Sequence, residues 1–322
     1  MKKITVLKFM ALGILSSFLL TSCSDDNDSS TTVTPTPKTI AGVATSDPQF
    51  SILVQALQKA DLVTTLNGAG PFTVFAPTNT AFTKFLSDKG FASLDVVPTP
   101  DLKEILLNHV VSGNVPSTAL SAGYIKTLAK GSASATNNLS MYIDLRDGVK
   151  LNGVAKVTTA NVAASNGVVH IVDAVIDLPN IVTFAKSNPD FSILVSALTR
   201  TDMPDFAGIL SGAGSFTVFA PNNTAFGNLL TELGVAGLAD INTATLENTL
   251  KYHVVANANV LSSSLTEGQE VTTFQGGTFT IGLTGGAKIT DLNNRISNIV
   301  AVDVQAANGV IHVIDKVILP VL

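Results

Sequence analysis

The stretch Phe72-Thr73-Val74-Phe75-Ala76-Pro77 recurs unchanged as Phe216-Thr217-Val218-Phe219-Ala220-Pro221, about 140 residues further along the chain. Two further segments recur in the same order: Phe50-Ser51-Ile52-Leu53-Val54 as Phe191-Ser192-Ile193-Leu194-Val195, and Asn166-Gly167-Val168-Val169-His170 as Asn308-Gly309-Val310-Ile311-His312. Two copies of this length indicate a tandem domain duplication rather than a solenoid. We predict domains at 39–178 and 179–322, with so little linker at Leu178-Pro179 that they touch.

Helix signals come first in each copy. Asp47-Pro48 and Asn188-Pro189 place a capping side chain before a proline at the first helical position, and apolar residues then follow at helical spacing. Pro77 ends a short strand, after which Thr78 or Asn79 caps a second helix. A further helix is predicted from Asp101 to about His109.

Strand signals come last in each copy. From about residue 124, Val, Ile and Thr alternate with Gly-rich turns, and the copy ends in a hairpin that turns at Asn166-Gly167. Helices followed by strands predict an α+β fold.

The N-terminus has the features of an export signal over residues 1–22. Lys2-Lys3 precedes an apolar run, Phe9 to Leu20, that is too short to span a bilayer as an ordinary helix. The run ends in Leu20-Thr21-Ser22-Cys23, which resembles the bacterial lipobox. Cys23 is the single cysteine of the chain and is the predicted lipid anchor, so no intrachain disulfide can form. The alternative is an ordinary signal peptide with a coincidental cysteine.

Residues 23–38 are rich in Ser, Thr, Asp and Pro, which predicts a disordered tether. Its first part, Ser24-Asp25-Asp26-Asn27-Asp28, resembles the surface-export signals of some Gram-negative lipoproteins. We therefore expect a membrane-anchored lipoprotein of the outer membrane that faces outward. A solvated linker on a periplasm-facing protein is the alternative.

Composition and motifs argue against several functions. With a net charge of −5, we expect no basic surface that would bind nucleic acid. We expect the protein to contact the membrane through its N-terminal lipid only. No nucleophile elbow, phosphate-binding loop or His-Glu-x-x-His motif occurs in the sequence. We expect no catalytic residues, no cofactor and no metal.

The four histidines occupy matching places in the two copies: His109 with His253, and His170 with His312. His170 lies in a strand that is apolar on both faces, and His109 lies at the end of a helix, so both are expected to be structural. Two histidines per copy are too few for a zinc site unless carboxylates join them. An enzyme would need a carboxylate beside His109 or His170 in an open cleft.

These motifs resemble the signatures of the fasciclin domain. Phe72 to Phe82 is similar to the first signature, Tyr252-His253 to the central one, and Asn166 to Asp173 to the last. Asn108 departs from the pattern, because the family usually has tyrosine there. The resemblance implies two tandem α+β domains, each a seven-stranded β wedge with flanking helices. The motif residues expected to be structural are Pro77, Asn79, His109, His170, Pro221, Asn223, Tyr252, His253 and His312.

The resemblance also implies extracellular adhesion without enzymatic activity, through a protein or polysaccharide partner. The absence of Trp and the presence of three Tyr favour a protein. The alternative is a binding protein for a small apolar ligand such as a lipid or pigment, since charged residues are only 13%. Recognition is expected where the copies differ: 62–67 against 203–210, 112–130 against 256–270, and around Tyr124 and Tyr252.

Overall fold

The computed structural model describes residues 37–212 and 214–321, which belong to one compact unit. The first domain contains five helices and seven strands in this part of the chain. The helices are α1 (Ile40–Ser46), α2 (Ser51–Lys59), α3 (Val63–Asn67), α4 (Asn79–Asp88) and α5 (Thr99–Leu107). The strands are β1 (Phe72–Pro77), β2 (Val110–Ser112), β3 (Gly123–Gly131), β4 (Ser134–Asp144), β5 (Lys150–Leu151), β6 (Ala155–Ala164) and β7 (Gly167–Val172).

The second domain repeats this order over the described residues. Its helices are α6 (Ile181–Ser187), α7 (Ser192–Leu198), α8 (Phe206–Ser211), α9 (Asn223–Leu233) and α10 (Thr243–Tyr252). Its strands are β8 (Phe216–Pro221), β9 (Val254–Ala256), β10 (Glu270–Thr272), β11 (Thr278–Gly282), β12 (Lys288–Thr290), β13 (Ile296–Ala306) and β14 (Gly309–Ile314).

Each domain has one seven-stranded sheet within the described residues, in the order β2-β1-β7-β6-β5-β4-β3 and β10-β11-β12-β13-β14-β8-β9. The repeated first motif forms β1, which pairs in parallel with β7, so that Phe75 is opposite His170. β8 and β14 pair in the same way. The α+β class and the seven-stranded sheet with flanking helices are confirmed.

The central strands are covered on both faces. Val169 of β7 packs with helix residues such as Phe82, whereas Val172 packs inside the sheet wedge with Phe75 and Met141. Burying apolar side chains on both faces explains why β7 lacks the polar alternation of a half-exposed strand.

The structure corrects two local predictions and decides between two caps that the sequence left open. A helix that was not predicted, α1, precedes the Asp47 cap, and Asp47-Pro48 opens a short 3-10 turn (Pro48–Phe50) that leads into α2. The predicted helix from Asp101 to His109 begins earlier, at Thr99, and ends at Leu107. The cap of α4 is Thr78, whose hydroxyl accepts from the Ala81 N–H.

Candidate functional site: signature residues and the interface between the domains

The last-strand histidines join two segments of their own domain. His170 is fully buried, its Nε2–H donates to the Val115 carbonyl (3.0 Å), and its Nδ1 accepts from the Asn161 N–H (3.3 Å). His312 makes the same contacts with Val260 and Asp303 (2.9 and 3.4 Å). Each ring also stacks on a phenylalanine of the neighbouring strand. Both nitrogens are therefore occupied, and burial lowers the pKa of both rings.

The helix-end histidines hold the chain that follows the last strand. His109 Nδ1–H donates to Ile105 O (2.7 Å), and its Nε2 accepts from the Ile176 N–H (2.9 Å). His253 is bonded in the same way to Thr249 O and Ile318 N–H. Burial lowers the pKa of both His109 and His253 to about 4. These rings are neutral at pH 7, and neither has the open carboxylate neighbour that general-base chemistry would need.

The first signature builds a joint between two helices. Pro77 ends β1, and the Asn79 amide accepts from the Ile52 N–H (2.9 Å) while it donates to Pro48 O (2.9 Å). Asn223, which follows Pro221, repeats these bonds with Ile193 and Pro189 at the same distances. The Asn79 side chain therefore connects the start of α4 to the start of α2, and the Asn223 side chain connects the start of α9 to that of α7.

The central signature differs between the domains. Tyr252 is fully buried and packs edge-on against Phe279, and its hydroxyl donates to Thr278 O (2.5 Å). Desolvation raises the pKa of Tyr252 to about 12. Asn108 is also buried, but its amide donates to the Ile176 and Asp177 carbonyls (3.2 and 3.0 Å) instead. The Tyr252 ring therefore contributes to the core, and the expectation that recognition falls in its neighbourhood stays a prediction.

An asparagine in each final hairpin has a role that the sequence did not predict. The Asn166 amide oxygen accepts from the Ile40 N–H at the start of α1 (2.9 Å), and its nitrogen donates to Leu66 O and Gly68 O (2.8 and 2.7 Å). Asn308 does the same for Ile181, Leu210 and Gly212. The Asn-Gly pair alone predicts a turn. The recurrence of this asparagine in both copies was the one sequence feature that could have indicated its further role.

The β3–β4 hairpin of the first domain docks on the second domain. At its tip, the Ala133 N–H and the Ser132 hydroxyl both donate to Ala307 O (2.8 and 3.0 Å). Further along, the Ser140 hydroxyl accepts from the buried Gln305 N–H (3.0 Å). Two strands of domain 1 are thus hydrogen-bonded to the end of β13 and the turn that follows it.

The base of this hairpin adds an apolar contact. Tyr142 is 7% exposed and belongs to the main core cluster of the second domain. Tyr124 packs edge-on against Phe184 of α6 with ring centroids 5.4 Å apart, and its hydroxyl accepts from the Asn188 amide (3.2 Å). The Tyr124 side chain therefore packs in the domain interface, and the expectation that recognition falls in its neighbourhood stays a prediction.

The equivalent hairpin of the second domain lacks these side chains. Val271 opposes Phe279 as Ile125 opposes Met141, which fixes the correspondence between the hairpins. In this register, the positions of Tyr124, Lys126, Ser140 and Tyr142 are taken by Glu270, Thr272, Thr278 and Thr280. Among the described residues, this docking face therefore occurs in the first hairpin and not in the second.

A cleft remains beside this interface, which we call the interdomain cleft. Its volume is about 300 Å³, and its lining comprises Lys126, Thr136, Asn137 and Asn138 of the first domain with Leu261 and Asp303 of the second. Lys126 Nζ donates to Asp303 O (2.7 Å) and to the Ser140 hydroxyl (3.1 Å). Desolvation lowers the pKa of Lys126. The interdomain cleft thus has polar side chains from both domains in its lining.

An apolar opening lies in the second domain between α6, α7, α8 and β8. Its lining includes Ile181, Leu194, Phe206 and Val218, but its volume is only about 40 Å³. Pockets for small organic ligands are typically about 300–1,000 Å³. A pigment or lipid would therefore have to separate the helices before it could enter.

The described part of the chain contains neither a metal-site cluster nor a membrane-spanning helix. No group of three or more His, Cys, Asp and Glu side chains is placed to hold a metal between residues 37 and 321. None of the helices in that range has the length and apolarity needed to cross a bilayer. The predicted anchor Cys23 and the 1–22 signal lie outside the described residues.

Taken together, the structure defines a class of protein: a duplicated α+β module whose motif residues are used in the core. The fasciclin domain family model matches residues 48–179 and 189–320. The chain therefore belongs to the fasciclin domain family.

The chain is similar in sequence to several known proteins. Human periostin is 32% identical over 260 residues, which cover 79% of this chain and 29% of periostin. The protein sll1483 of Synechocystis is 40% identical over 144 residues, or 44% of this chain and 75% of that protein. A domain pair from the insect cell adhesion molecule fasciclin I covers 83% of this chain and 95% of the matched chain, at 19% identity and a TM-score of 0.49. The chain thus spans less than a third of periostin.

Proposed function

We propose that the protein is a non-enzymatic, surface-displayed lipoprotein that attaches to an extracellular protein or polysaccharide partner. The observation that supports this most is the use of the signature residues: His109, His170, His253 and His312 each have both ring nitrogens bonded within the fold. The motifs that the family model detects therefore build a scaffold, and the exposed surface is left for recognition.

The anchor and the tether support the same proposal. A diacylated Cys23 would hold the chain at the membrane, and a Ser/Thr/Pro-rich tether over 23–38 would place the domain pair away from it. Two domains packed as one unit would then present a single rigid surface. This differs from two independent modules, whose main gain would be avidity.

The alternative of a small apolar ligand has one observation in its favour, the apolar opening near Phe206. Its volume of about 40 Å³ is too small for a lipid or pigment in the packed state. We therefore favour attachment to a macromolecule.

The proposal is tested by binding of the full chain, solubilised in a mild detergent, to immobilised extracellular matrix proteins and cell-wall polysaccharides. Saturable binding to at least one preparation is expected, and it should be lost after heat denaturation of the chain. Failure to bind any of them, together with turnover of a substrate by the same sample, would contradict the proposal.

A further inference from the structure

The interdomain cleft combines cationic and neutral polar groups. Lys126 and Lys130 lie on β3, and Lys130 Nζ donates to Thr136 O (2.7 Å) at the edge of the cleft. Neither lysine forms an ion pair with a carboxylate among residues 37–321. The Asp303 carboxylate acts on Lys126 only from a distance, and the Glu104 carboxylate accepts from the Lys130 backbone N–H (2.6 Å) rather than from its ammonium.

The nearby carboxylate is already engaged. Asp303 accepts from the Ser262 N–H (2.8 Å) and from the Ser262 hydroxyl (2.5 Å), and its backbone sits in a left-handed conformation (φ 59°). Its oxygens thus hold the 3-10 turn at Ser262, and Lys126 reaches only its backbone carbonyl. The carboxylate of an anionic ligand would form the direct charge-assisted contact with Lys126 that Asp303, whose carboxylate acts on the ammonium only from a distance, does not make.

The remaining lining suits hydroxyl groups. The Asn137 amide donates to the Ser134 hydroxyl (2.8 Å), which leaves its carbonyl oxygen as an acceptor, and Asn138 adds a second amide to the lining. Amides both donate and accept, as sugar hydroxyls do, whereas a simple anion needs donors only. Leu261 supplies the one apolar side chain of the lining, against which the carbon face of a sugar ring can pack.

We propose that the interdomain cleft binds an acidic polysaccharide, with the carboxylate of a uronate residue at Lys126 and Lys130 and its hydroxyls at Asn137 and Asn138. The inference rests on the proposed attachment function and names the chemistry of its partner. The volume of about 300 Å³ is at the lower end for ligand pockets and fits a short stretch of a longer chain. Because Thr272 stands where Lys126 would be in the second hairpin, the pair offers one such cleft.

The test is isothermal titration calorimetry of the detergent-solubilised full chain with a ten-residue oligogalacturonate. A neutral glucose oligomer of the same length and a poly-glutamate peptide of the same charge serve as comparison ligands. We expect binding of the uronate oligomer, at least tenfold weaker binding of both comparison ligands, and weakening by salt. Equal binding of the neutral oligomer would refute the ionic contact, and equal binding of the peptide would refute the sugar class.

Substitutions in the interdomain cleft test whether the uronate oligomer binds there. Lys126→Gln and the double variant Asn137→Ala/Asn138→Ala should each weaken uronate binding at least tenfold, and Lys126→Arg should restore most of it. Lys103→Gln, a change of the same charge at an exposed position on α5, should bind like the wild type. Melting temperatures identify variants that have lost the fold. If the uronate oligomer does not bind while the chain still attaches to another preparation, this inference fails and the proposed function stands.

Discussion

The Ser140 hydroxyl in the first domain accepts a buried hydrogen bond from the Gln305 backbone N–H in the second, at 3.0 Å. Lys126 donates to the same hydroxyl (3.1 Å), so one side chain connects β3, β4 and β13. Leaving a buried N–H without a partner costs about 1–3 kcal/mol. Because of this bond and the burial of Tyr142 in the core of the second domain, we expect the unfolding of one domain to destabilise the other.

Close backbone approach at the hairpin tip makes Gly131 sensitive to substitution. A Cβ at Gly131 would fall 2.7 Å from Ala307 O and closer still to the Ala307 Cα. Gly131→Ala should therefore push the tip away from the second domain, lower the free energy of unfolding by about 1–3 kcal/mol and weaken the coupling of the domains. Urea denaturation monitored by circular dichroism measures this.

The matched control is Gly227→Ala, at a helical position where an added Cβ meets nothing within 4 Å. It should be neutral, or stabilising by up to about 1 kcal/mol. Equal stability of the two alanine variants would show that the tip contact is absent in solution.

The buried histidines of β7 and β14 contribute stability. Truncating His170 or His312 to alanine leaves a carbonyl and an N–H without their partners and opens a small cavity. We expect a loss of about 1–3 kcal/mol for each variant, with partner binding retained while the protein is folded. Thr159→Ala, at an exposed position on the same sheet, should be near neutral. A His170→Ala variant that keeps its stability but loses binding would make His170 a site residue.

Stability should fall as pH falls below 6.5. The pKa of His109 and of His253 is lowered by burial from 6.5 to about 4, so the folded state binds fewer protons than the unfolded chain between these values. The free energy of unfolding is therefore fully retained above pH 6.5 and decreases toward pH 4, by up to about 3 kcal/mol per histidine. Urea denaturation at pH 7, 6 and 5 measures the slope. His109→Asn should reduce that slope, and a free energy of unfolding that does not change between pH 7 and 5 would contradict the buried neutral rings.

Replacement of the predicted anchor tests the lipoprotein assignment. Cys23→Ala should prevent acylation and either release the protein from the membrane fraction or stall it as a precursor. Metabolic labelling with a radioactive fatty acid measures the modification directly. The control is Ser22→Ala, which replaces the residue before the cysteine and leaves Cys23 in place. A mature wild-type protein without label would disprove the anchor.

The sequence predicted the fold well because the motifs are local and occur twice. The β1 motif, the Thr78-Asn79 cap and the Asn166-Gly167 turn follow from chemistry within a few residues. Helix α1 was not predicted because its seven residues show no extended periodicity and its start is held by the distant Asn166 amide.

The candidate site was harder to predict because, as at the start of α1, its contacts join residues that are far apart along the chain. Gly131, Ser140 and Lys126 are unremarkable strand residues, and their roles arise from Ala307, Gln305 and Asp303, far away along the chain. The segment 112–130, where the copies differ, contains Lys126 and Lys130. Its tyrosine, however, differs between the copies because it forms the domain interface rather than a partner surface.

Attachment of living cells tests directly whether the displayed domain pair holds the cell to an extracellular partner. Cells that produce the wild-type chain, the Cys23→Ala variant or no chain are allowed to settle on a surface coated with the preparation that binds the purified protein. Our account predicts that wild-type cells remain attached after washing and that cells of the other two strains are removed. Equal retention of all three strains, with the wild-type chain detected at the cell surface, would contradict it.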